Sequence, residues 1–152
     1  MIIQSKRFGA VEFTDDDAFI IEGGLVGIPD LRKFLVISHK PDSPFRWIQS
    51  VEDPEFAFLV MDPVLFRPDY APELPDDVAE QLQLTDETPR IVYAIVSIPP
   101  GRPEEMTANL AGPIMLNAEK RIARQVVLED DRWTTRHRIL DELDELLKKV
   151  AA

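Results

Sequence analysis

Short apolar runs separated by polar, proline-punctuated stretches dominate the chain, and their lengths are those of strands rather than helices. Residues 11–13, 18–22, 34–37, 45–51, 56–61, 91–98, 114–116 and 122–128 each fit this pattern. The polar segment Thr14-Asp15-Asp16-Asp17 suits a hairpin turn between the first two runs. Prolines fall at almost every junction, as expected of a residue that cannot donate to a central ladder. Two segments carry a helical pattern instead. Residues 75–82 form one, with Asp77 and Glu80 at capping-box spacing. In the other, Ile139, Leu140, Leu143, Leu146, Leu147 and Val150 recur at steps of three and four. Acidic residues come early in that tail and Lys148 and Lys149 late, the order the helix dipole favours. A helix of roughly a dozen residues is marginal alone, so it must dock, preferentially on its own domain. The pattern predicts a mainly β fold: a small antiparallel β-barrel-like domain with one short internal helix and a C-terminal amphipathic helix. No linker or repeat divides the chain. Residues 1–140 are expected to form the barrel-like domain and 141–152 a helical extension of it.

Composition narrows the function. With 152 residues, 45% hydrophobic and 30% charged, the chain can bury one core. It has no cysteine, which excludes disulfides, thiolate zinc sites and cysteine nucleophiles. The apolar runs are too short to span a bilayer, and the first residues lack a signal-peptide core, so a cytoplasmic location without membrane contact is expected. A net charge of −11 argues against a broad nucleic-acid surface and favours basic partners. One basic stretch stands out, Lys120, Arg121, Arg124, Arg132, Arg136, His137 and Arg138, interrupted by Glu129-Asp130-Asp131.

Candidate chemistry is sparse. Gly23, Gly24 and Gly27 lack the Lys-Ser/Thr pair of a phosphate loop and read as turn glycines. Asp15-Asp16-Asp17 lacks the glycine and distal glutamate of a calcium loop. His39 and His137 are the only histidines, too few and too far apart to promise a metal site or a catalytic triad. No enzyme is indicated, and no cofactor. Recognition residues are easier to find. Phe45, Trp47 and Gln49 share one strand face, with Trp47 expected mostly in the core. Gln49 is then either a satisfied core amide or a group held out for a partner, and a ligand pocket near Trp47 and Gln49 is the alternative to a protein partner. Glu52 and Asp53, before Pro54, can cap backbone N–H groups or meet a basic partner. Asn109 and Asn117 bracket an apolar strand, where asparagines either bond strand-end backbone or recognise a partner.

The ordered segments resemble the flagellar assembly factor FliW family. The resemblance rests on Glu22-Gly23-x-Leu25-x-Gly27-Ile28-Pro29, on Pro44-Phe45-x-Trp47-Ile48-Gln49-Ser50-x-Glu52-Asp53-Pro54-x-Phe56-Ala57-Phe58, and on Thr107-x-Asn109-Leu110-x-x-Pro113-Ile114-x-x-Asn117. Phe8-Gly9, Arg121 with Gln125, and Arg136-His137 extend it. It implies a cytoplasmic, cofactor-free, barrel-like protein that binds flagellin and antagonises the RNA-binding translational repressor CsrA, without touching RNA itself. Gln49, Glu52, Asp53, Asn109 and Asn117 lie within the matched segments and are the candidates for protein binding. Charge complementarity puts Glu52 and Asp53 first against CsrA, with Glu104-Glu105 and Glu129-Asp130-Asp131 as the other acidic candidates.

Overall fold

The computed structural model describes residues 1–38 and 40–151; His39 lies outside them. Eleven strands are assigned among these residues: β1 (Ile2–Ser5), β2 (Gly9–Glu12), β3 (Ala18–Ile21), β4 (Lys33–Ile37), β5 (Phe45–Ser50), β6 (Ala57–Met61), β7 (Arg90–Ser97), β8 (Thr107–Ala108), β9 (Ile114–Asn117), β10 (Ile122–Gln125) and β11 (His137–Arg138). Two α-helices join them, α1 (Asp76–Gln81) and α2 (Ile139–Ala151).

Strands β3 to β7, β9 and β10 close into a seven-strand barrel, in the order β7-β6-β5-β4-β3-β10-β9 and back to β7. The eight-residue β7 closes it by dividing its edge. Its first half, Arg90 to Tyr93, pairs with β9, and its end, Val96 and Ser97, pairs with β8. Every pairing is antiparallel except β3 with β10, where Ile20 and Ile21 run parallel to Ile122 and Ala123. The barrel is therefore not purely antiparallel.

Alternation sorts the side chains. Phe19, Ile21, Phe34, Ile48, Val60, Ile114, Leu116 and Ala123 point inward and are buried. The outer face is covered in three places, which is why both faces of several strands are apolar. The β1–β2 hairpin lays Ile3 and Phe13 on Ala18 and Leu35. Helix α1 packs Val78, and its C-terminal neighbour Leu82, against Met115 and Val126. The C-terminal segment brings Trp133 and Ile139 onto Met61, Phe66, Tyr70, Ala94, Val96, Ala108 and Leu110.

Three local expectations need correction. Residues 9–12 do not pair with β3 but fold back on β1. Thr14-Asp17 is therefore not a hairpin tip. It is a 3₁₀ turn closed by Asp17, whose carboxylate accepts the Thr14 N–H at 2.8 Å. Helix α1 has Pro75 at its N-cap position, with no side-chain cap hydrogen bond and no Asp77–Glu80 box. Helix α2 docks chiefly through its first turns: Ile139 is buried, Leu143 and Leu146 are half-buried, and Leu140, Leu147 and Val150 are exposed.

Candidate functional site

Gln49 is fully buried and acts as a hub. Its Oε1 accepts the Ser5 hydroxyl at 2.7 Å, and its Nε2 donates to the carbonyls of Ser50 (3.0 Å), Phe56 (3.0 Å) and Pro54 (3.3 Å). Ser5 in turn accepts the N–H groups of Arg7 and Phe8 through Oγ. One amide thus pins the β1–β2 turn and the 51–56 turn to the barrel, and Lys6 N–H adds a bond to Pro54 O. Gln49 is the satisfied amide of the two readings, with both donor hydrogens engaged inside the fold.

The surface held by this hub carries Trp47, which is half-buried and not in the core. Its neighbours across the sheet are Ile37 and Leu59, on the outer face of the barrel. Arg7 stacks on the indole with its guanidinium carbon 4.2 Å from the ring centroid, and Phe8 meets it edge-on at 5.8 Å. Cavities of about 360 Å³ (among Lys6, Arg7, Gln49, Pro54, Glu55 and Ala57) and about 220 Å³ (among Lys40, Ser43, Phe45, Trp47 and Leu59) border it.

Glu52 is exposed, yet its carboxylate accepts the N–H groups of Lys33 at 2.9 Å and Arg32 at 3.3 Å, so it caps the entry to β4. Asp53 Oδ1 accepts the Glu55 N–H at 3.1 Å, and the Asp53 N–H donates to Ser50 Oγ at 3.0 Å. Asn109 is half-buried and its Oδ1 takes the N–H groups of Ala111 and Gly112. Asn117 is fully buried; its Oδ1 takes those of Glu119 and Lys120, and its Nδ2 donates to Leu82 O at 2.8 Å. Gln49, Glu52 and Asp53 converge on one end of the barrel. Asn117 belongs to the turn between β9 and β10, and Asn109 to the loop after β8.

Sequence reasoning missed a second cluster, because its members are far apart in the chain. Arg67 donates to Glu142 Oε1 at 2.7 Å and to Asp69 at 3.0 Å, while Glu142 Oε2 meets His137 Nδ1 at 2.9 Å. The Thr134 N–H donates to His137 Nε2, which places the ring proton on Nδ1, facing Glu142. Arg67 also stacks on Trp133, and Tyr70 meets Trp133 edge-on at 4.7 Å. The hydrogen bonds it donates to Asp69 and Glu142 hold the Arg67 guanidinium above its ordinary range, and Arg67 holds the Asp69 carboxyl below the usual carboxylate range. Burial pushes the Tyr70 phenol up, and its OH donates to Leu110 O at 2.7 Å. The cluster locks α2 to the barrel.

Among the described residues no group of three or more His, Asp or Glu could hold a metal ion, and no helix is long and apolar enough to cross a membrane. A family model described as "FliW protein" matches residues 2–139. The flagellar assembly factor FliW of Thermoanaerobacter pseudethanolicus is 39% identical, over 94% of this chain and 95% of its own. That of Syntrophus aciditrophicus is 40% identical, over 97% of this chain and 92% of its own. A crystal structure of a flagellar assembly factor FliW superposes with a TM-score of 0.83 at 32% identity, covering 91% of this chain and 96% of that one.

Proposed function

Because the chain belongs to the FliW family of flagellar assembly factors, we propose that it binds flagellin and CsrA, so that rising flagellin frees CsrA to repress flagellin translation. The observation that carries this reading is the match over nearly the whole chain. The site chemistry agrees with it. The organised feature at the Gln49 end is an exposed turn surface held from inside by hydrogen bonds to one buried amide. An acidic chain of net charge −11 also suits an RNA-binding partner, whose own surface must be cationic to hold phosphates.

We place the surface shared by both partners on the 51–56 turn and the Trp47 face. Glu52, Asp53 and exposed Phe56 are its proposed contacts. Gln49 and Asn117 are buried, so their proposed part is indirect: each holds the turn that presents exposed neighbours, as Asn109 does for the loop after β8. Overlap of the two partners on one surface makes a switch by mass action alone. The protein itself works in the cytoplasm in this reading, without contacting RNA or membrane.

Calorimetric titration of the purified protein with CsrA and with flagellin tests the proposal, followed by addition of flagellin to the CsrA complex. Saturable binding of each, and release of CsrA by flagellin, is the expected result. Absence of heat with both proteins at roughly tens of micromolar refutes it. Glu52→Lys with Asp53→Lys should slow association and flatten its salt dependence. Because Glu52 also caps β4, the melting temperature of that variant must be followed alongside.

A further inference from the structure

A separate groove of about 640 Å³ runs between the segment before α1 and the segment after β10. Leu74, Pro75, Val127 and Leu128 supply apolar walls, and Trp133 lines it from below. Val127 is 66% exposed, an unusual place for a branched aliphatic side chain with nothing over it. Four carboxylates rim the groove: Glu73, Asp76, Glu129 and Asp130. Asp130 is tied to Arg132, which points its guanidinium at that carboxylate at 2.7 Å. Glu73, Asp76 and Glu129 have no ion pair or side-chain hydrogen bond among the described residues, and no lysine or arginine lines the groove. Trp133 is 95% buried, and its indole Nε1 is the one buried side-chain nitrogen or oxygen, among the described residues, without a partner.

We propose that this groove is a docking cleft for a cationic amphipathic segment of a protein partner, and that it is engaged by CsrA and not by flagellin. Apolar walls with a predominantly acidic rim select a segment that is apolar on one face and carries Lys or Arg along its borders. The unpaired carboxylates steer such a segment in, and the apolar walls hold it by excluding water. The inference rests on the reading above that the protein binds CsrA, and it adds a contact outside the shared turn surface.

The test compares three proteins by calorimetry and stopped-flow association: wild type, the groove variant E73K/D76K/E129K, and the control D42K/D86K/E87K. The control makes the same change in net charge at exposed carboxylates elsewhere. All six positions are exposed, and circular dichroism and melting temperature confirm the fold of each variant. The groove variant should bind CsrA at least about tenfold more weakly, with a flatter salt dependence, and bind flagellin within about twofold of wild type. The control should keep most of its CsrA affinity. Unchanged CsrA binding in the groove variant overturns the inference alone. So does an equal loss in the control, which would mean bulk charge and not the groove, or an equal loss for flagellin. A wild-type protein that binds flagellin but not CsrA overturns the inference together with the CsrA half of the proposed function.

Discussion

Gln49→Leu tests whether one amide organises the turn surface. The substitution roughly keeps the volume and removes every polar contact of a fully buried side chain. The carbonyls of Pro54 and Phe56 each keep a second donor, the N–H groups of Lys6 and Ser50, so their loss is partial. The Ser5 hydroxyl fares worse, because Gln49 Oε1 at 2.7 Å is its acceptor. Leaving that buried donor unpaired costs about 1–3 kcal/mol, and the lost Nε2 bonds add about 1 kcal/mol each. The apolar replacement returns part of this, for a net cost of about 2–3 kcal/mol. In a chain of this size that lowers the melting temperature by about 4–12 °C. Urea unfolding followed by tryptophan fluorescence measures it, with Trp47 reporting from the same strand. The double variant with Ser5→Ala supplies the sharper number. If the hydroxyl and the amide act as a pair, the two losses should fall short of additivity by about 1–2 kcal/mol. A net cost under about 1 kcal/mol, or additive losses, would refute the hub.

Two further outcomes follow from local geometry. Gly24 has φ +71° and a Cβ there would clash with the Pro29 carbonyl, whereas Gly23, at φ +79°, has open space around it. Gly23→Ala should therefore cost about 1–2 kcal/mol of backbone strain and Gly24→Ala clearly more, read as midpoints of urea unfolding; equal costs would show that the Pro29 approach does not constrain the turn. Tyr70 has its folded pKa raised by burial above the ordinary value of 10.0. Its contribution to stability is thus complete below that value and lost as pH rises beyond it, while the unfolded state ionises first. Tyr70→Phe should lower stability at neutral pH by about 1 kcal/mol through the lost bond to Leu110 and make the alkaline fall shallower, as followed by thermal melts from neutral to alkaline pH.

The strands that form the barrel were legible because their apolar runs are long enough to show through, from residues 34–37 to 122–128. The elements that escaped the pattern are short or depend on distant partners. Strands β8 and β11 are two residues each, too brief for any period to register. That β2 pairs backward with β1 and not forward with β3 is decided by the apolar contact of Ile3 and Phe13 with Leu35, which no local turn signal encodes. Trp47 looked like core because it aligns with Phe45 and Gln49, yet the hairpin covers it only with the turn residues Arg7 and Phe8 and leaves it half-buried. The shared face was right and the depth was not. Gln49 illustrates the same limit from the other side: alternation gave its direction, but only the 44-residue reach to Ser5 shows that its amide is satisfied. The acidic groove joins segments on either side of α1 through β10 and carries no motif. The Arg67–Glu142–His137 cluster spans 75 residues and carries none either.

The parallel pairing of β3 with β10 has a consequence for how the chain is made. Residues 20–21 and 122–123 are joined directly in the ladder, so the barrel cannot close until most of the chain has left the ribosome. Until then β3 presents an unpaired edge, beside a half-formed sheet whose inward residues include Phe19 and Phe34. Such long-range closure gives a high contact order and slow folding, on a scale of milliseconds to seconds. During synthesis the nascent β3–β6 sheet is therefore the segment most in need of a chaperone, and strand β10, made only after β4 to β9, is what releases it.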